Sequence, residues 1–132
     1  MKETQQIYRQ TKKSAGADLT AAENVTIDVN ETVLVPTGYF LPESDGQEIF
    51  YALAARSSIA YKKNLLLMNG LGIIDADYKE EVKVMYRNLG TVPVQLLKGE
   101  RIAQLIALEY LPVFPAVDQE RQGGFGSSGT GI

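Results

Sequence analysis

Between Val25 and Leu108 the apolar and β-branched residues arrive in short runs broken by turn-formers, and that rhythm decides most of what the chain can become. Val25–Val29 and Thr32–Val35 flank Asn30-Glu31, a pair suited to a tight turn. Pro36-Thr37-Gly38 and Pro42 to Gly46 punctuate the next stretch. Ile49–Ala54, Leu65–Met68, Val82–Tyr86, Val92–Leu97 and Ile102–Leu108 then come at short intervals. Strands this short and this regular predict an all-β protein, a sandwich or β-jelly-roll of the β-clip type. One short helix is expected over Ser58–Lys63, entered through hydroxyl residues able to cap it.

With 132 residues the chain fits one domain. Residues 123–132 hold five of the 12 glycines, so that stretch cannot bury a core. The division expected is a core over residues 1–118 and a flexible, glycine-rich C-terminal arm over 119–132. There is no internal repeat. Small all-β domains expose sheet edges, and self-association is a common remedy. The polar start carries no signal-peptide core, and the apolar runs are too short to span a bilayer. An intracellular protein off the membrane is expected, in the cytoplasm or, for a viral source, a host compartment.

Composition narrows the chemistry. The chain has no Cys and no His, which removes disulfides, thiolate metal sites, Ser-His triads and imidazole acid–base pairs. Carboxylates, hydroxyls, Lys/Arg, backbone amides and oxygen-held ions remain. The net charge of −3 gives no basic footprint for nucleic acid.

Several residues stand out within those limits. Asp75 follows Ile73-Ile74, where apolar neighbours could partly desolvate a general base for water; taken alone it reads first as a turn aspartate at the tip of a β-hairpin. Arg56-Ser57-Ser58 opens the expected helix and could hold phosphate, or simply cap the helix. Asn69-Gly70 is a turn signal, and Gln104 is polar within an apolar run. Gly123 to Gly129 could converge amides on an anion around Phe125, or form a plain tail.

In order along the chain, these segments resemble the five motifs of the trimeric dUTP nucleotidohydrolases (dUTPases). Ala15-Gly16-Ala17-Asp18-Leu19 is similar to the family's A-G-x-D-L, and Arg56-Ser57-Ser58-Ile59-Ala60 to its second motif. Gly72 to Tyr78, following Asn69, reads G-I-I-D-A-D-Y against G-x-I-D-x-x-Y. Lys98 to Leu105 and Gly123 to Gly129 complete the set.

The resemblance implies a jelly-roll homotrimer with sites built from all three subunits, cleaving dUTP to dUMP and pyrophosphate. It implies Asp75 as the base activating water for attack on the α-phosphorus. Asn69, Gly72, Ile73, Ile74 and Lys83 would line a uracil and deoxyribose pocket, a narrow hairpin, with Tyr78 beneath the sugar. Arg56, Ser57, Ser58 and Gln104 would hold phosphates. Asp18 would act through water on a Mg²⁺ ligated by the triphosphate, which a chain of charge −3 needs as a screen. The arm would close over a neighbouring subunit's site, Phe125 stacking on uracil and Gly126, Ser127 and Ser128 wrapping phosphates. Arg121 stands four residues before Phe125, where the family's arginine stands five before and this chain has Glu120; it is the candidate γ-phosphate contact. Glu80 replaces a family glycine and should alter only the outer turn.

Two rivals share the same scaffold. A dCTP deaminase would need a glutamate where Met85 stands. A non-catalytic nucleotide sensor would have no use for Asp75. Neither nucleic acid nor membrane is expected as a partner.

Overall fold

A computed structural model describes residues 4–44 and 46–117. The expected arm, with Arg121, Phe125, Gly126, Ser127 and Ser128, lies outside the described residues, as does residue 118. Nine strands and one helix are described: β1 (Ala17–Thr20), β2 (Val25–Ile27), β3 (Thr32–Tyr39), β4 (Ile49–Ala55), α1 (Ser57–Lys63), β5 (Leu65–Leu67), β6 (Gly72–Asp75), β7 (Val82–Asn88), β8 (Val94–Leu96) and β9 (Arg101–Glu109). The all-β class with one short helix is borne out. No helix among the described residues is long and apolar enough to cross a membrane.

The strands form three antiparallel sheets, ordered β1-β9-β4-β6, β3-β7-β5 and β2-β8. The expected turn at Asn30-Glu31 exists, with Asn30 at φ 65° and the Glu31 N–H bonded to the Asp28 carbonyl at 2.9 Å. It closes no hairpin, however, because β2 pairs with β8 and β3 with β7. β3 runs past Pro36 by absorbing an irregularity: Pro36 faces Lys83, while Tyr39 faces Val82. β1 and β6 are strands that local sequence does not announce.

Period-two alternation builds the core. On β7, Val82, Val84, Tyr86 and Asn88 point inward, meeting Tyr51 and Leu53 of β4, Ala103 and Leu105 of β9, and Leu19 of β1. Each large apolar side chain so buried contributes about 1.5–3 kcal/mol. Asn88 is the polar exception. Its Nδ2 donates to the Ile27 and Val92 carbonyls at 2.9 and 2.8 Å, and its Oδ1 accepts from the Gly90 N–H at 2.8 Å. A fully satisfied amide can sit there without cost from unmade bonds.

The helix corrects one expectation. Ser57 and Ser58 lie inside it; Arg56 takes the N-cap position in an extended conformation, and no side chain caps the end. Ile59 seats α1 in the core, and Asn64 ends it in the left-handed region. Lys63 pins the last turn to Glu100 at 2.8 Å. Burial alone would raise the Glu100 carboxyl, but hydrogen bonds from Lys63 and the Leu97 N–H, with the Lys63 charge, hold it below its ordinary 4.5. A depressed carboxyl stabilises the fold above its unfolded pKa, and that contribution fades as pH falls through the folded value. Glu100→Gln is therefore expected to melt below wild type at pH 7, by less than about 1 kcal/mol for a pair near the surface. In melts taken at falling pH the gap should close below 4.5.

Candidate active site

Two groups of the singled-out residues gather at opposite ends of the four-stranded sheet. At one end, Asp18 on β1 stands opposite Gln104 on β9, and Gln104 stands opposite Ala54 on β4. The Gln104 Nε2 donates to the Ala55 carbonyl at 3.3 Å. Where β4 gives way to α1, the Arg56 Nε lies 3.6 Å from Asp18 Oδ1. Arg101, at the start of β9, brings its Nη1 to 3.4 Å from Asp18 Oδ2. The two arginines are themselves linked, Arg56 Nη1 donating to the Arg101 carbonyl at 3.2 Å. One carboxylate, its side chain 14% exposed, thus sits between two guanidiniums. The surplus positive charge, beside Ser57, Ser58 and the uncapped helix start, suits an anion with several oxygens. Arg101 carries no role in the sequence reading; adjacency to a Gly-Glu turn makes it look like a surface cation.

At the other end, β6 runs along the sheet edge with Asp75 opposite Phe50 and Gly72 opposite Leu53. A Cβ on Gly72 would stand 3.0 Å from the Leu53 Cβ and 3.3 Å from Asn69 Nδ2, so only glycine lets β6 lie this close with Asn69 folded over it. Ile73 and Asp75 point outward and are exposed, while Ile74 packs on the core. The partial desolvation expected at Asp75 is absent from the single chain, because β6 is an edge strand with an uncovered outer face. Asp75 lines an open pocket of about 650 Å³ with Ser44, Phe50, Ile73, Asp77 and Tyr110.

The segment after Asp75 also departs from expectation. The Asp75 carbonyl accepts the Tyr78 N–H at 3.1 Å, closing a turn. β6 pairs with β4, whereas β7 pairs with β3 and β5, so this turn crosses between sheets and is not the loop of a two-stranded hairpin. Tyr78 is 7% exposed, and its hydroxyl donates to the Glu81 carbonyl at 2.8 Å. The Glu81 carboxylate accepts from the Gly38 N–H at 2.7 Å, where β3 bulges with Gly38 at φ 69°. The buried Thr37 hydroxyl donates to the Val82 carbonyl at 2.6 Å. The crossover is thereby fastened to β3, and Lys83 comes next, half-buried opposite Pro36. Glu81 is another residue to which the sequence reading gives no role.

β4 is the ruler between the two ends. Asp75 faces Phe50, and Arg56 follows the last residue of β4. At a strand rise of about 3.3 Å per residue those positions are about 20 Å apart. Within one chain the structure does not bring Asp75 together with Asp18, Arg56 and Gln104.

Comparison with known proteins adds the family dimension. The family model described as dUTPase matches residues 2–131. The chain is 41% identical over 129 residues to the deoxyuridine 5′-triphosphate nucleotidohydrolase of Rickettsia prowazekii, covering 90% of this chain and 84% of that protein. It is 41% identical over 128 residues to the protein of the same name from Hahella chejuensis, covering 91% and 84%. The crystal structure of the Streptococcus mutans dUTPase superposes with a TM-score of 0.76 at 32% identity, over 83% of this chain and 88% of that one. The native EIAV dUTPase gives 0.69 at 28% identity, over 91% and 96%. The expected jelly-roll is borne out by these likenesses.

Proposed function

From the premise that this chain belongs to the dUTPase family, we propose that it cleaves dUTP at a site shared between copies, with Asp75 from one copy and Asp18, Arg56 and Gln104 from another. Its activity is hydrolysis of dUTP to dUMP. The observation that carries the shared site is the separation of the two groups along β4. A water held by Asp75 must reach the α-phosphorus while the β- and γ-phosphates are gripped, and a triphosphate is far shorter than that strand. A homotrimer in which each copy lends one end to each of two sites satisfies both needs.

Asp75 takes a proton from water as the oxygen bonds to the α-phosphorus, and the bond to the β-phosphate oxygen breaks in line, releasing pyrophosphate. Asn69 and the backbone of Gly72, Ile73, Ile74 and Lys83 orient the nucleoside, with Tyr78 as the floor. Arg56, Ser57, Ser58 and Gln104 hold the charge that develops on the departing phosphates. Arg121, Phe125, Gly126, Ser127 and Ser128 are assigned to closing the site from a third copy.

Among the described residues no group of three or more acidic side chains gathers, and Asp18 is a single carboxylate already facing two guanidiniums. That supports a reading in which Asp18 would act through water on a Mg²⁺ brought by the substrate's phosphates. When bound, Mg²⁺ neutralises triphosphate charge and helps polarise the phosphoryl oxygens.

The test is pyrophosphate release from dUTP, UTP, dTTP and dCTP with and without Mg²⁺. The expected result is release from dUTP above all others and strong dependence on the cation. No release from dUTP, or ammonia from dCTP, would overturn the reading.

A further inference from the structure

Tyr86 is a fully buried titratable residue that the mechanism above does not use. It projects from β7 across the core, and its hydroxyl donates to the Ile102 carbonyl at 2.5 Å. That carbonyl is unusual. The β1–β9 register steps from Leu19 opposite Ala103 to Thr20 opposite Arg101, leaving Ile102 as an extra residue on β9. The β4–β9 register has already ended at Ala55 opposite Ala103. Ile102 therefore has no opposite residue in either flanking strand, and it is wholly buried. A bulge carbonyl in such a place needs a donor from elsewhere.

Arg56 is the N-cap residue of α1 and has no side-chain cap to fix it. Arg101, next to the bulge, offers its carbonyl to Arg56 and its guanidinium to Asp18. One buried hydroxyl thus holds the bulge beside Arg101, and Arg101 in turn meets Arg56 at the start of α1 and Asp18.

Building on the proposed function, we propose that Tyr86 is a positioning residue for the phosphate end of the site: its hydroxyl sets where Arg56, Ser57, Ser58 and Arg101 stand, without touching substrate. Burial pushes the hydroxyl up to about 12, against the opposing influence of Arg56, so it stays protonated and able to donate at working pH.

The test compares wild type, Tyr86→Phe and Val84→Ala, the last removing core volume from the same strand while leaving the Tyr86 hydroxyl in place. Each is assayed for dUTP turnover and for inhibition by dUMP, which lacks the two outer phosphates. Tyr86→Phe is expected to lose about 10- to 100-fold in kcat/KM for dUTP, as misplaced binding groups do, while dUMP affinity stays within about twofold. Val84→Ala is expected to melt lower with unchanged kinetics. Tyr86→Phe kinetics equal to wild type, or dUMP and dUTP affinities falling in parallel, would overturn the proposal. Proton NMR on the unmutated protein tests it without any variant: the Tyr86 hydroxyl proton, held on the Ile102 carbonyl, should exchange slowly with solvent, and rapid exchange would sink the proposal. Absence of dUTP cleavage by wild type would strike the proposed function instead, so the two failures are separable.

Discussion

Replacing Asp75 by Asn is expected to lower kcat for dUTP about 10²- to 10⁴-fold, the span assigned to a positioned general base. The change is nearly isosteric and leaves the turn intact, since it is the backbone carbonyl of residue 75 that accepts the Tyr78 N–H. An amide cannot take the proton that water must give up. Removing a negative charge beside a triphosphate should leave nucleotide affinity equal or greater. Pyrophosphate release measures the first quantity and titration calorimetry the second. A variant turning over at the wild-type rate would remove Asp75 from the mechanism.

Mixing two dead variants should restore turnover. Asp75→Asn and Arg56→Ala each disable one end of the four-stranded sheet, and the ends lie about 20 Å apart along β4. If each site draws its base from one copy and its phosphate grip from another, random co-assembly leaves roughly one site in four with both parts intact. Refolding the two variants together in equal amounts should then recover roughly a quarter of wild-type activity, with neither alone above background. A mixture no more active than its components would show that one chain supplies both parts, against the separation along β4.

Much of the architecture is legible because alternation survives in the longer strands. Val82 to Asn88 shows its inward and outward faces in the bare sequence. The two strands that escape notice, Ala17–Thr20 with Asp18 and Gly72–Asp75 with Gly72 and Asp75, hold residue types that disfavour strands on their own. Pairing with β9 and β4 makes them strands, and pairing is not a local property. Strand partners are hidden for the same reason, so turns that read as hairpins prove to be crossovers between sheets.

The site is legible as residue types in order, through resemblance, more than as geometry. Asp18, Arg56 and Gln104 do converge, as their motifs imply. Residues acting through others give no signal. Glu81 works by meeting an amide in a bulge on β3, and Tyr86 resembles any inward-facing member of β7 until its hydroxyl is traced to Ile102. Ser57 and Ser58 look like helix caps because local sequence cannot tell which residue turns extended just before the helix; that residue is Arg56.

If β4 carries half of a shared site at each of its ends, as proposed, assembly and turnover become a single variable. Dilution that parts the copies is then expected to silence catalysis. A substitution far from both halves can therefore masquerade as a catalytic defect merely by loosening the contact between neighbours, and specific activity measured across protein concentrations separates the two kinds of loss.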